Sequence, residues 1–348
     1  MKIAGFPNFA RYESSFAIID DQQSANSLTY YTIDEERLLR EKHTYTFPLL
    51  AMDYCLDQAG ISNLSKVDLV VTDYSRRQSL YNDGPGYRKT EHDYLKSILK
   101  IDRKKLLIVN HHDAHAAGVF YPSNYSEAAV IVVDGMGSDL ETQSIYYGDP
   151  DGLRCIEKGS GWGIGGLYTA LTNLIGFTGH TGVDLAGKTM GLAPLGRDLN
   201  SNIVGIDPTY NGAELDYSKT ISRFPKPALT NTDLVPCMDK NDVTSDYYKG
   251  IAFEVQQETE NAVIHLAKRA YELTKCENIC ITGGVALNSV ANGKIKQLNG
   301  RIWTIKKETD EKLNSIDTLN NAELYKFFAE RYRQYLDSIG STSSETGN

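Results

Sequence analysis

AAVIVVDG, residues 128–135, is a run of six apolar residues closed by Asp134 and Gly135. A continuous apolar run of this length, ended by a turn signal, reads as a strand covered on both faces. The flanking sequence alternates strands and helices, which points to an α/β architecture. Upstream, KIAGF, SSFAIID and LTYYTI are β-branched and aromatic runs separated by polar breaks, and VDLVVTDY and KKLLIVN repeat the pattern. Phe47 to Gly60 has apolar residues at helical spacing and a glycine stop. Downstream, the glycine-rich GSGWGIGG lies around Ser160 and Tyr168 to Phe177 reads as a helix. Ile251 to Leu273 sets its apolar residues on one helical face, and NICITGGVALNSV gives a strand, a Gly-Gly turn and a helix start. Residues 197–245 are polar and rich in Asn, Asp and Pro, and read as an excursion or surface loops. No internal repeat of fixed period is found.

The chain has 348 residues and a mass of 38.7 kDa. That length fits about two domains or lobes. With 23% charged and 41% apolar residues, global disorder is excluded. Acidic residues outnumber basic ones 45 to 36, for a net charge of −9. This balance argues against a protein held mainly by nucleic-acid phosphates. No apolar run is long enough to cross a membrane. The start, MKIAGFPNFARYESS, lacks the apolar core of a secretory signal. The simplest address is the cytoplasm. The five cysteines are odd in number and contain no CxxC pair, which argues against a disulfide framework or a structural zinc site. Cys276 and Cys280 flank a short apolar strand and read as inert core thiols.

Four stretches can carry chemistry. In NHHDAHAAG, His111 and His115 are four apart and share one face of a helix, where they can hold one metal ion; His112 points elsewhere. The bland alternative is a polar helix start whose histidines meet water. Two imidazoles need carboxylate help for a tight site. In VVDGMGS, Asp134 ends a strand where α/β folds bind ligands, and Gly135 and Gly137 let phosphate oxygens approach backbone amides. The same residues also suit an ordinary hairpin turn. In AGKTMGLAPLG, Lys188 can meet an anion as a point charge, or can be an exposed lysine on a flexible loop; the spacing is not that of a P-loop. GIGGLY is only superficially like a dinucleotide loop and follows no clear strand. In TGGVALNSVANG, the Gly283-Gly284 turn places bare amides at a helix start, an anion or adenylate platform.

The order of these motifs is informative. DEERLLREKHTYTFP (34–48), NHHDAHAAGVFYPS (110–123), VVDGMG (132–137), GKTMGLAPLG (187–196) and TGGVALNSVANGKI (282–295) together resemble the O-carbamoyltransferases of the nodulation-factor and cephamycin type. The resemblance implies a first domain similar to the tRNA threonylcarbamoyl transferase, in the two-lobed actin, sugar-kinase and Hsp70-like ATPase superfold. It divides residues 1–294 into lobes of about 1–126 and 127–294. It implies that carbamoyl adenylate, made from carbamoyl phosphate and ATP in a C-terminal domain, gives its carbamoyl group to an acceptor hydroxyl beside a divalent metal, Fe2+ foremost. The implied metal ligands, also the catalytic set, are His111, His115 and Asp134. The implied nucleotide-binding residues are Gly135, Gly137, Lys188, Gly283, Gly284 and Asn288.

Two departures qualify the resemblance. Where the family places a His-Asp pair after the opening strand, this chain has Tyr12-Glu13-Ser14-Ser15. The resemblance stops near Lys294, before the Gly-Asp-x-Gly segment that supplies a fourth metal ligand; Asp310 and Asp317 lie in charged, glycine-free sequence. The expected partners are a hydroxyl-bearing sugar or small metabolite, carbamoyl phosphate, ATP and a separately encoded C-terminal chain. The alternatives are a non-catalytic nucleotide- or partner-binding remnant and a metal-dependent ATPase of the same superfold. Residues 295–348 read as a divergent polar tail with one amphipathic helix, Thr318 to Ile339. That helix is expected to cover the strand ICIT, which would otherwise lack a neighbour; the alternatives are a handle for a partner and a disordered end.

Overall fold

The computed structural model describes residues 1–7, 14–24, 27–42, 44, 47–74, 99–177, 185–199, 202–223, 245–296 and 301–304. Tyr12, Glu13, Asp310, Asp317 and the helix expected over 318–339 lie outside these residues. The described residues fall into two compact units, one ending at His111 and the other beginning at His112.

The first unit contains β1 (Lys2–Phe6), β2 (Ser15–Ser24), β3 (Ser27–Asp34), the short α1 (Glu35–Leu39), α2 (Leu49–Gln58), β4 (Leu69–Tyr74) and β5 (Leu106–Asn110). The sheet order is β3-β2-β1-β4-β5. β1 and β2 are antiparallel, as are β2 and β3, while β4 runs parallel to β1 and β5 parallel to β4. The apolar spacing expected over Phe47 to Gly60 forms α2, which buries Ala51, Cys55 and Leu56 against Phe6, Phe16, Ile18 and Val70. The buried Glu35 carboxylate accepts the Leu50 and Ala51 amides at 3.1 and 2.7 Å, so a residue from α1 satisfies donors that the start of α2 leaves open.

The second unit opens with α3 (His111–Phe120, of which His111 closes the first unit), followed by β6 (Ala128–Val133), β7 (Glu141–Asp149), β8 (Gly152–Ser160), α4 (Ile164–Ile175) and α5 (Ala186–Leu192). Next come the small hairpin β9 (Thr209–Asn211) and β10 (Glu214–Asp216), the one-turn α6 (Ser218–Ile221), the long α7 (Asp246–Thr274), β11 (Asn278–Thr282), α8 (Ser289–Lys296) and β12 (Arg301–Thr304). The sheet order is β12-β11-β6-β7-β8. β6–β7 and β7–β8 are antiparallel, and β6–β11 and β11–β12 are parallel. The two sheets thus share one topology: a central strand with two antiparallel strands on one side and two parallel strands on the other. That duplication, invisible as a sequence repeat, is the α/β arrangement the resemblance implies.

All six residues of β6 are buried, as the apolar run requires. Ala129, Ile131 and Val133 pack with α4 and α7 residues such as Leu167, Leu171, Val255 and Leu266. Ala128, Val130 and Val132 pack on the other face with Ala116, Val119 and Phe120 of α3. The alternation follows from the two-residue period of a strand. Burial of side chains the size of Val119 and Phe120 contributes about 1.5–3 kcal/mol each before entropy. Through this packing α3 is joined to the second unit, which begins at His112.

Several expectations change. The helix expected from Tyr168 starts at Ile164, and GIGG, read as following no clear strand, follows β8 and forms the first turn of α4. Gly165 allows this: a Cβ there would lie 2.8 Å from the Asp134 carbonyl oxygen. The region expected to be an excursion or surface loops contains a hairpin whose Ala213, Leu215 and Tyr217 are fully buried, because apolar residues punctuate its polar sequence; 224–244 lie outside the described residues. The segment around Lys188 is helical, not a flexible loop. ICIT has a neighbour on each side, since β12 (RIWT) pairs parallel with Asn278–Ile281, so the strand needs no cover from 318–339.

Candidate metal and nucleotide site

The i, i+4 spacing of His111 and His115 is realised on α3, and β6 delivers Asp134 just past its end. His111, His115 and Asp134 each offer one ligand atom, and these atoms lie within 4.8 Å of one another. His115 Nε2 stands 3.6 Å from Asp134 Oδ2. His115 Nδ1 lies 3.5 Å from the Thr282 hydroxyl. Among the described residues this is the group of metal-binding side chains the structure brings together. Two imidazoles and one carboxylate form a donor set suited to a non-haem Fe2+-type ion with open positions. His112 points away: it is fully buried, with Nδ1 2.8 Å from the Ser144 hydroxyl.

The Asp-Gly turn has both characters weighed from sequence. It connects β6 to the antiparallel β7, with the Asp134 amide donating to the Thr142 carbonyl at 2.9 Å, so it is a hairpin connection. It also presents the Asp134 side chain to His115. Gly135 is exposed and leaves open space, whereas Gly137 is buried and donates its amide to the Glu141 carbonyl at 2.6 Å.

The Gly283-Gly284 turn abuts the same carboxylate. Gly283 has φ +92°, and a Cβ on it would lie 2.4 Å from the Val133 carbonyl oxygen. The Gly284 amide donates to Asp134 Oδ1 at 2.9 Å. The platform of bare amides expected there is therefore partly used internally, because the carboxylate at the end of β6 reaches the turn first. Asn288 is buried and exchanges two hydrogen bonds with Gln256 of α7, at 3.1 and 2.8 Å; its Oδ1 also accepts the Ala291 amide. Tyr168 donates to the same Gln256 at 3.2 Å. Its amide holds the glycine turn to α4 and α7. Lys188 is exposed on α5, with its ammonium 5.9 Å from the Phe177 ring centre.

Asp73 escapes a motif search. Its Oδ2 lies 2.7 Å from His111 Nδ1. The only sequence sign is a carboxylate at the end of a strand parallel to the one that leads into His111. Cys276 and Cys280 are buried as expected, and burial pushes the Cys280 thiol up to about 12. Cys237 lies outside the described residues. No helix among the described residues is long and apolar enough to cross a membrane.

The family described as Carbamoyltransferase N-terminus matches residues 74–303. The match continues past Lys294, where the motif resemblance was expected to stop, and takes in most of β12. The chain is 32% identical to an uncharacterised protein of Synechocystis sp. over 82% of this chain and 51% of that protein. It is 24% identical to the nodulation protein NolNO of Sinorhizobium fredii, over 83% of this chain and 43% of that one. An uncharacterised Methanocaldococcus jannaschii protein is 24% identical over 80% of this chain and 52% of its own length. The chain thus spans about half the length of these relatives. Among solved structures, T. kodakarensis HypF is 15% identical with a TM-score of 0.46, covering 95% of this chain and 48% of that one. With the family match over most of the described residues, the chain belongs to the carbamoyltransferase N-terminal family.

Proposed function

We propose that this chain carries the transfer half of an O-carbamoyltransferase. It takes a carbamoyl group from carbamoyl adenylate and passes it to a hydroxyl of a sugar or small metabolite. Formation of the adenylate from carbamoyl phosphate and ATP is assigned to a separate C-terminal part, corresponding to the half of the relatives that this chain does not span. The observation that carries the reading is the joint site: a His-His-Asp group whose carboxylate is hydrogen-bonded to the glycine turn expected to take the nucleotide.

Fe2+ or a related divalent ion, held by His111, His115 and Asp134, would supply Lewis acidity toward phosphate or carbamoyl oxygens. The chain's own residues do the rest. The Gly284 amide fixes one Asp134 oxygen and leaves the other directed at His115. Exposed backbone at Gly135 and Gly284 gives an adenylate close approach from one side. Gln256 and Asn288 keep the turn in register with α7. Lys188 is assigned to anion attraction from α5, and Gly137 to shaping the turn.

The test is a labelled assay with carbamoyl phosphate, ATP and an acceptor, run with this chain alone and with the C-terminal half of a full-length relative. The expected result is no carbamoyl adenylate from this chain alone and carbamoyl transfer from the pair. Adenylate formation by this chain alone would overturn the division of labour.

A further inference from the structure

We propose that Asp73 is the positioning residue for His111, fixing which ring nitrogen faces the metal. The inference rests on the metal reading above and extends it to a residue outside the donor set. β4 and β5 run parallel, with Asp73 opposite Val109 and Tyr74 opposite Asn110, so the two strands end side by side. The chain turns directly from Asn110 into α3 at His111. Asp73, one residue before the end of β4, is thus delivered to the imidazole by the sheet register. Its Oδ2 lies 2.7 Å from His111 Nδ1, and its side chain is only 16% exposed.

An ionised carboxylate only accepts, so the proton of this hydrogen bond sits on His111 Nδ1. Nε2 then carries the lone pair, the state a metal needs. Neutral imidazole without a partner on Nδ1 is not held in that form. His115 is set differently: its Nε2 stands 3.6 Å from Asp134 Oδ2, and its Nδ1 lies 3.5 Å from the Thr282 hydroxyl.

The test uses the full chain and Co2+ as the probe. Wild type, Asp73→Ala, Asp73→Asn and His111→Ala are titrated with Co2+ under anaerobic conditions by visible absorption, and nitrogen-15 histidine spectra are recorded without metal. The metal-free wild type should show His111 protonated at Nδ1. Asp73→Ala should bind Co2+ about 10–100-fold more weakly and lose the Nδ1–H form, with melting unchanged. Asp73→Asn, whose amide oxygen still accepts from Nδ1, should lose less. Asp73→Ala binding Co2+ as tightly as wild type, while His111→Ala binds it weakly, would overturn this inference and leave the metal site standing. His111→Ala binding as tightly as wild type would bring down the metal site and this inference with it. Should Asp73→Ala not fold, an Nε2–H tautomer at His111 in the metal-free wild type overturns the inference unaided.

Discussion

The Asp134 carboxylate accepts the Gly284 amide at 2.9 Å, joining two residues 150 positions apart in sequence. One side chain thereby belongs to both motifs, as a member of the His-His-Asp group and as the anchor of the glycine turn.

The first prediction follows from this contact. A Cβ on Gly284 would lie 2.9 Å from Asp134 Oδ1, so any side chain there pushes the carboxylate away from its position. Gly284→Val should weaken both Co2+ and ATP binding by at least about tenfold, roughly 1.4 kcal/mol, and Gly284→Ala should weaken both less. Calorimetric titration of each ligand checks this. ATP binding lost with Co2+ binding intact would show that the two motifs are not joined as described.

Gly283 should act on stability. Its φ of +92° and the 2.4 Å approach of a Cβ to the Val133 carbonyl oxygen leave no room for a side chain. Gly283→Ala is expected to cost on the order of 1–3 kcal/mol from backbone strain alone. Urea unfolding followed by circular dichroism reads this, and an unchanged midpoint would contradict the close approach.

The amide pair gives a third expectation. Asn288→Ala removes two hydrogen bonds from the buried Gln256 amide, leaving it Tyr168 and Glu260 as partners, and should cost about 1–3 kcal/mol. Gln256→Ala should cost a similar amount, and the double variant less than the sum of the two. Strict additivity would mean that the pair does not hold the turn.

The sequence discloses the parts of the fold that are locally regular. β6 is legible because all six of its residues are apolar, and α2 and α7 because their apolar residues keep helical spacing. β7 is hidden because it opens with Glu141, Thr142, Gln143 and Ser144, polar residues that are nonetheless buried and bonded in part to one another and to His112. The first turn of α4 is hidden because Gly165 and Gly166 are poor helix formers, and Gly165 stands where the helix closely approaches the Asp134 backbone. The His-His-Asp group shows in sequence because two of its members share a helix face. Asp73 does not, since only the parallel register of β4 and β5 brings it to His111.

A pH dependence follows from Glu157, which accepts two hydrogen bonds from Arg269 at 2.9 and 3.0 Å and ties β8 to α7. The Arg269 guanidinium holds its carboxyl below the usual range. A group with a lowered folded-state pKa contributes stability above its unfolded pKa and loses it as pH falls through the folded value. The denaturation midpoint should therefore fall on acidification below about pH 4.5, the ordinary glutamate range, and Glu157→Gln should fall less steeply. Equal slopes for the two proteins would remove this pair from the acid response.

The most direct test of the central claim is metal content. Wild type, His111→Ala and His115→Ala, loaded anaerobically with Fe2+ and desalted, are measured by elemental analysis alongside their melting temperatures. The account predicts one bound ion per wild-type chain, and loss of that ion in both variants without unfolding. Equal iron in all three proteins would contradict it.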